Sequence, residues 1–470
     1  MSLMKQLDRS DSAIGLDLHH FAAELYPICR SITGDGIRRT LAAIQNRIPL
    51  QISEVPSGTQ VFDWTVPKEW NVRDAFIKAP DGQRIVDLQK CSLHVVNYST
   101  PVHATMPLEA LKPHLYTLPE CPDWIPYRTS YYREDWGFCL SHNQLLALPQ
   151  GEYEVCIDST LEDGHLTYGE HYLAGRSAEE VLISCHACHP SLANDNLSGI
   201  AVATFLAEQM SRSDLRYSYR FLFIPGTIGA ITWLARNQNT TGRIRHGLVL
   251  TCIGDAGGFH YKRSRRGNAE IDRAAAHVLG HCGEPSEILD FSPYGYDERQ
   301  YCSPGFDLPV GCLMRSVWEC FPEYHTSADN LSFIKPQQLA GSLRVCKSIL
   351  DVLENNRSYR NQNPLCEPQL GRRGLYRSVE GGASRAEMMA RLWVLNLSDG
   401  KHSLLDIAER SGMAFPLLSD AAELLQRGGL LSVEPNEGVG EECSNGVFET
   451  GKPNAHIEGV VLSRSGGVRQ

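Results

Sequence analysis

Apolar and polar positions recur at two different spacings along the chain, and these spacings divide it into regions. Residues 1–50 predict amphipathic helices, because FAAELYPICR and GIRRTLAAIQNRI carry apolar side chains at helical spacing, with a break at Gly34–Gly36. Residues 55–125 contain short, aromatic, β-prone runs such as VFDWTVPKEW and LHVVNYS, divided by Pro and Gly. This second region predicts an inserted small β-rich domain.

Strand and helix patterns alternate over residues 126–360. Apolar runs such as VLISCHA, YRFLFIP and HGLVLTCIGD predict strands, and SGIAVATFLAEQMSR predicts a helix between two of them. Strands that are apolar throughout are buried on both faces, which is typical of a parallel or mixed sheet flanked by helices. The pattern therefore predicts an α/β core formed by residues 1–54 and 126–365.

The region 370–435 predicts a winged-helix domain, with three short helices followed by an apolar strand. Ser403 is expected to cap the second helix, and Ser411–Gly412 to form the turn. The segment FPLLSDAAELLQRGG holds one Arg, one Asp and one Glu, a weak match for phosphate. A docking or dimerisation module is therefore expected. The Gly/Ser/Glu-rich residues 436–470 predict a flexible tail.

Composition narrows the class of protein. The chain has 470 residues, of which 42% are hydrophobic and 21% charged, with a net charge of -11. This disfavours nucleic acid and anionic membranes as partners, and neither a membrane span nor a secretory signal is predicted. The 15 cysteines mostly lie in apolar contexts and indicate a reducing, cytoplasmic compartment. Cys185 and Cys188 form a C-x-x-C, for which a redox or zinc-thiolate pair is the alternative interpretation.

Metal-competent side chains follow several predicted strands. His189 comes after VLISCHAC, Asp195 lies in the next loop, Asp255 ends LVLTCIGD, and His325 lies in FPEYHTSADN. Ligand sites form beyond the carboxyl ends of such strands, and two imidazoles with two carboxylates suit zinc. Each residue also has a structural alternative, for instance Asp195 as a helix cap. The shared order and sheet context favour a metal site.

The segments HPSLANDNLSG, LTCIGD and YHTSADN resemble the zinc aminopeptidases that use two co-catalytic metals. The resemblance implies that His189 and Asp255 hold one zinc, that Asp195 bridges, and that His325 holds the second. A closer resemblance is to a bacterial group of aminopeptidase-like proteins associated with polysaccharide biosynthesis. It rests on VFDWTVPKEW, NYSTPV, IPYRTSYYREDWGFC, CHPSLANDNLSG, DERQYCSPG, YHTSADNL and LWVLNLSDG. It implies an aminopeptidase-like core with an inserted β domain and a C-terminal winged helix.

The chain departs from the peptidase pattern at three positions. Ser191 stands where those peptidases have an Asp, and Gly226-Thr227 stands where they have a Glu-Glu pair. The first Glu of that pair is their general base, and such assistance is worth ~10²–10⁴ in rate. The second is a metal ligand, for which Thr227 is a poor substitute. One bound zinc is therefore expected, with a second ion weak or absent.

Other residues are candidates for the remaining roles. Glu298 is a candidate base and Tyr324 a candidate oxyanion donor, while Arg299 and Arg315 are candidates for binding a substrate carboxylate or phosphate. The structural alternatives are a surface ion pair of Glu298 with Arg299 or another base, and ordinary packing of Tyr324.

The leading hypothesis is a zinc-dependent hydrolase of aminopeptidase type that cleaves an amide bond of a peptide, aminoacyl or acylamino conjugate. A catalytically impaired binding or assembly protein in polysaccharide or natural-product biosynthesis is the alternative, supported by Gly226. A DNA-binding regulator is a weaker third, and a homo-oligomer stays open.

Overall fold

The computed structural model describes residues 10–375 and 384–434. Its helices are α1 (Asp11–Leu25), α2 (Asp35–Gln45), α3 (Leu108–Leu111), α4 (His142–Leu146), α5 (Gly199–Met210), α6 (Ile228–Arg236), α7 (Gln238–Thr241), α8 (Glu270–His281), α9 (Glu298–Tyr301), α10 (Pro336–Asn355), α11 (Arg385–Leu397), α12 (Leu404–Ser411) and α13 (Phe415–Arg427). Its strands are β1 (Gln51–Pro56), β2 (Gln60–Val61), β3 (Trp64–Thr65), β4 (Glu69–Lys78), β5 (Arg84–Asp87), β6 (Val102–Pro107), β7 (Leu115–Tyr116), β8 (Phe138–Cys139), β9 (Glu152–Glu162), β10 (His165–Leu173), β11 (Glu180–His186), β12 (Ser218–Ile224), β13 (Ile244–Leu250), β14 (Phe259–Lys262), β15 (Ser286–Leu289), β16 (Val310–Met314), β17 (Ser358–Asn361), β18 (Asp399–Ser403) and β19 (Leu431–Val433).

An eight-stranded mixed sheet forms the centre of the molecule, in the order β1-β10-β12-β11-β13-β16-β14-β15. Its four middle strands, β12, β11, β13 and β16, run parallel. All seven residues of β11 and of β12 are buried, as their apolar sequences predict. The parallel direction brings the carboxyl ends of these four strands to one edge of the sheet.

Two apolar cores cover the two faces of this sheet. Successive residues of a strand point to opposite faces, so Ile183 packs into one core and Leu182 into the other. The first core is built with α1, α2, α5, α8 and α10, and the second with α6, α9 and a smaller sheet. The predicted fold class, a mixed sheet flanked by helices, is confirmed.

The smaller sheet has the strand order β5-β4-β9-β6. Three of its strands come from the predicted inserted region 55–125, and its longest strand, β9, follows later in the chain. Trp70 in β4 is buried and donates from Nε1 to the carbonyl of Ser99 at 2.9 Å. The tryptophan therefore packs inside this β region. The division into domains at residues 55 and 125 stays a prediction.

Helices α11–α13 and the small sheet β18-β17-β19 form the predicted winged helix. The Ser403 hydroxyl caps α12, and Gly412 ends that helix in the left-handed region at φ 67°, so both predicted signals are confirmed. The backbone N–H of Phe415 donates to Nε2 of His277 in α8 at 3.1 Å, which anchors α13 to the core. The predicted flexible tail 436–470 lies outside the described residues.

Among the described residues, no helix is both long enough and apolar enough to cross a membrane.

Candidate metal centre

Two histidines lie at the carboxyl end of β11. His186 is the last residue of this strand, and its side chain is fully buried. His189 lies in the loop that follows, where the buried Arg30 side chain donates from Nε to its carbonyl oxygen at 2.9 Å. Since β11 is one of the parallel strands, both imidazoles reach the sheet edge at which ligand sites form.

Asp195 lies at the centre of the site, in the segment Ala193–Ser198 that leads into α5. Its Oδ1 is 2.7 Å from Nε2 of His186, and its Oδ2 is 3.0 Å from Nε2 of His325 and 4.0 Å from Nε2 of His189. The ligand atoms of His186, His189 and Asp195 all lie within 4.8 Å of one another, so these three residues could hold a metal ion. Three imidazoles therefore surround one buried carboxylate.

Asp329 fixes the loop that carries Asp195. Its two carboxylate oxygens accept hydrogen bonds from the backbone N–H groups of Asn194 at 2.6 Å and Asp195 at 2.9 Å. Its backbone carbonyl accepts a third, from the N–H of Ala193 at 3.0 Å. Burial raises the pKa of Asp329 to about 8, with the nearby Asp195 charge adding to the rise and the backbone N–H groups opposing it. The carboxyl group of Asp329 therefore positions Asp195.

His325 is held by its backbone as well as by its ring. Its φ of 54° is uncommon for a residue with a side chain, and the N–H of Tyr127 donates to its carbonyl at 2.8 Å. The Tyr127 ring contacts two imidazoles edge-on, that of His325 with centroids 5.1 Å apart and that of His189 at 5.2 Å. One aromatic side chain thus fixes the orientation of both histidines.

Two tyrosines complete the polar surroundings of Asp195. The hydroxyl of Tyr296 donates to Oδ2 of Asp195 at 2.8 Å and lies 2.7 Å from the hydroxyl of Tyr324. The Tyr324 ring stacks on His325 at 3.9 Å, and the Tyr296 ring stacks on His186 at 4.4 Å. Burial raises the pKa of both tyrosines well above the usual value, so both hydroxyls keep their protons.

The ionisation of Asp195 and His189 suits a metal. Burial works against the charge of Asp195, yet the surrounding imidazoles, above all His189 and His186, hold its pKa well below the usual range. Burial lowers the pKa of His189 well below its usual value, against the opposing charge of Asp195. An ionised carboxylate and a neutral imidazole are the forms that bind metal ions, so the donor set fits zinc.

Asp255 lies beside this group, after the end of β13. Its Oδ2 accepts from the Asn194 side chain at 2.7 Å, and its Oδ1 accepts from the Ser316 hydroxyl and the Gly257 N–H, each at 2.7 Å. The structure therefore brings His189, Asp195 and His325 together and links Asp255 to their loop through Asn194. The role of Asp255 as a metal ligand stays a prediction.

The other predicted residues make contacts elsewhere. Glu298 is fully buried and pairs with Nζ of Lys262 at 2.8 Å, rather than lying on the surface. Arg315 is buried and pairs with Glu284 at 2.8 Å. The Arg299 guanidinium lies 5.8 Å from the ring of Tyr294. The roles proposed for Glu298, Arg299 and Arg315 from the sequence stay predictions.

The Cys185–Cys188 alternative is weakened by the environment of these thiols. Both are buried and unpaired, and burial raises the pKa of Cys188 to about 12. A thiol that keeps its proton is a poor redox nucleophile. Within the described chain, the group that could hold a metal consists of imidazoles and a carboxylate.

Sequence reasoning missed His186 and Tyr296, and it considered Asp329 only as a partner of His325, not as the residue that holds the Asp195 loop. His186 stands within an apolar strand, between a Cys and an Ala, whereas His189 precedes a proline after the apolar run and is the more conspicuous of the two. The spacing H-x-x-H, with one imidazole on the last residue of a buried strand, is the signal that could have found it. For Tyr296 and Asp329, the chain pattern carries no comparable signal.

The comparisons with known proteins agree with this architecture. A zinc aminopeptidase from Bacillus subtilis has a TM-score of 0.50 at 13% identity, covering 71% of this chain and 94% of that one. A peptidase M28 precursor from Shewanella amazonensis gives 0.50 at 13% identity, with coverage of 74% and 98%. At such identities the similarity shows the fold alone, which is aminopeptidase-like.

The family is shown by closer matches. Residues 19–356 match the family described as a domain of unknown function (DUF4910), and the chain belongs to this family. Residues 357–433 match a winged helix-turn-helix family. A Clostridium acetobutylicum protein named for polysaccharide biosynthesis and an aminopeptidase-like domain is 52% identical over 426 residues, 90% of this chain and 98% of that one. A crystal structure from the same organism, named for a peptidase, has a TM-score of 0.87 at 51% identity, with coverage of 90% and 97%.

Proposed function

We propose that the protein is a zinc-dependent hydrolase of aminopeptidase type, which cleaves an amide bond with metal-activated water. The observation that carries this proposal is the buried Asp195 carboxylate surrounded by the imidazoles of His186, His189 and His325. A carboxylate surrounded by imidazoles at the carboxyl edge of a parallel sheet offers the oxygen and nitrogen ligands that zinc binds.

His186, His189 and Asp195 would hold zinc, and the prediction that Asp255 joins them is kept. His325, on the Oδ2 side of Asp195, would give a second ion its ligand. Zinc supplies two effects when bound: it makes water a hydroxide-like nucleophile near neutral pH, and it polarises a carbonyl oxygen.

The chain's own residues have separate tasks in this mechanism. Asp329 and Arg30 hold the backbone of the ligand loops, and Tyr127 holds two imidazole rings. The Tyr296 and Tyr324 hydroxyls, which stay protonated, are donors for a developing oxyanion. Because Tyr296 already donates to Asp195, the contact between the two hydroxyls uses the proton of Tyr324, and Tyr324 would turn this proton from Tyr296 to a substrate oxygen.

The substrate proposed is an aminoacyl or acylamino conjugate in the synthesis of a polysaccharide or related product. Support for this class comes from the name of the Clostridium acetobutylicum relative, and an aminopeptidase-like fold supports the amide bond.

Metal analysis combined with a panel of aminoacyl-p-nitroanilides tests the proposal. We expect about one zinc per chain and turnover that His189→Ala abolishes. His103→Ala is the matched control, since this histidine is 73% exposed and pairs with Glu154 at the surface. Protein that binds no zinc and shows no turnover after zinc addition would contradict the proposal.

A binding or assembly protein that kept the fold is the second candidate. Gly226, which has no side chain to accept a proton, favours it. This candidate predicts zinc bound at the same residues without hydrolysis of any amide in the panel.

A further inference from the structure

Asp297 carries a carboxylate that the described chain leaves without a hydrogen bond. Its side chain is fully buried, and neither Oδ1 nor Oδ2 accepts a hydrogen bond from any described residue. The neighbouring Glu298 differs, because Lys262 pairs with it at 2.8 Å. A buried carboxyl group without partners is costly to keep, so its presence calls for an explanation.

The Asp297 carboxylate lies beside Gly226, which also borders the His186 side chain. A Cβ placed on Gly226 would lie 3.6 Å from Oδ1 of Asp297 and 3.0 Å from Cβ of His186. Asp297 also follows Tyr296 directly, whose ring stacks on His186 and whose hydroxyl bonds to Asp195. The carboxylate thus borders the space that a longer side chain at position 226 would enter.

Several neighbouring charges act on Asp297, although its carboxylate oxygens have no hydrogen-bond partner among the described residues. Burial raises the pKa of Asp297 to about 7, His186 and Arg299 oppose this rise, and Glu298 adds to it. The Asp297 charge helps to raise the pKa of four buried groups, which are Tyr301 of the helix that Asp297 begins and, on neighbouring elements, Cys185, Cys188 and Cys312.

We infer that Asp297 is the proton-accepting carboxylate of the site, and that Gly226 leaves room for it to act. This inference rests on the proposed amide hydrolysis. Water loses one proton to Asp297 while its oxygen bonds to the carbonyl carbon. The proton then passes from Asp297 to the amide nitrogen as the C–N bond breaks, which gives a free carboxylic acid and an amine. No electrons are exchanged with another reactant.

A purely structural role for Asp297 predicts the opposite change in stability. A structural carboxylate stabilises the fold, so its removal lowers the melting temperature. A carboxylate kept for chemistry destabilises the fold, most strongly at pH values where it is ionised. Stability therefore separates the two roles without any substrate.

The first test is the melting temperature of zinc-loaded Asp297→Asn at pH 6 and pH 8. We expect the variant to melt about 2–4 °C above wild type at pH 8, with a smaller gain at pH 6. Asp272→Asn is the matched control, because this buried carboxylate accepts hydrogen bonds from the Tyr261 hydroxyl and from the backbone N–H and the hydroxyl of Ser264. The control should melt below wild type. A decrease for Asp297→Asn as well would overturn the inference.

The second test uses the nitroanilide that wild type hydrolyses fastest. Asp297→Asn should lower kcat by ~10²–10⁴ at unchanged zinc content. Adding Gly226→Glu to this variant should restore part of kcat, because the new carboxylate enters the same space. Normal kcat in Asp297→Asn would overturn the inference while leaving the proposed function intact. Absence of zinc and of turnover in wild type would instead overturn the proposed function, and with it the catalytic role of Asp297.

Discussion

Nε2 of His186 and Oδ1 of Asp195 lie 2.7 Å apart, and both side chains are fully buried. His186 ends a central strand, whereas Asp195 belongs to the loop that leads into the next helix. The sheet therefore sets the position of one member of the pair and the loop sets that of the other. If both residues held the same metal ion, the ion would couple the strand to the loop.

His186→Ala should weaken zinc binding as strongly as His189→Ala does. Removing either imidazole deletes a ligand, and even residues that only orient a ligand are worth 10–100-fold in affinity, so we expect a loss of more than ~100-fold. Competition with a chromophoric chelator measures this affinity. His103→Ala should bind zinc as wild type does, and wild-type affinity in His186→Ala would exclude this histidine as a ligand.

Asp329→Asn should disturb the Asp195 loop. The new amide would turn an N–H toward one of the two backbone N–H groups that the carboxylate now accepts. We expect a loss of about 1–3 kcal/mol in the free energy of unfolding, together with weaker zinc binding. Urea denaturation and chelator competition measure the two effects. Asp163→Asn, at an exposed position, should change neither. A stable Asp329→Asn variant with normal zinc affinity would show that the loop holds its shape without this residue.

The sequence predicted part of this site, and the reasons are physical. His189 and Asp195 follow a strand whose apolar run indicated a buried parallel sheet, and the carboxyl ends of such strands meet. Glu298 is a residue whose surroundings the sequence pattern does not predict. Its sequence neighbours suggested a surface ion pair, but Lys262, distant in the chain, pairs with it in the interior. Partners brought together only by folding leave no local pattern.

The Arg38–Glu69 ion pair should make stability depend on pH. The hydrogen bond from Arg38 holds the pKa of Glu69 at about 2, against burial and with help from the His165 N–H. Because the pKa in the folded state lies below that of the unfolded chain, the stabilisation is present above about pH 4 and is lost as pH falls toward 2.

Comparison of wild type with Glu69→Gln measures this contribution. The variant should be less stable by about 1–2 kcal/mol at pH 7, a value reduced for solvent screening, and the difference should shrink as pH falls toward 2. Glu109→Gln, which alters an exposed pair with Lys112, is the control and should show little difference at either pH. A constant difference for Glu69→Gln would contradict the assignment.

Arg273 should help to attach the winged helix to the core. It lies in α8 and pairs with Asp406 and Glu409 of α12, each at 2.6 Å. Since the pairs are partly exposed, Arg273→Ala should lower stability by only about 0.5–1 kcal/mol, and the loss should decrease in high salt. Thermal melts at two salt concentrations measure it. A salt-independent loss would indicate that packing, rather than charge, holds the two elements together.

The most direct test of the metal centre is anomalous scattering from crystals of zinc-loaded protein, recorded on both sides of the zinc absorption edge. The structure predicts a strong anomalous peak for a zinc ion bound by Asp195 and the imidazoles of His186 and His189. A second peak near His325 would show a two-metal site. Crystals with no peak at Asp195, or with zinc bound only at other residues, would contradict the account.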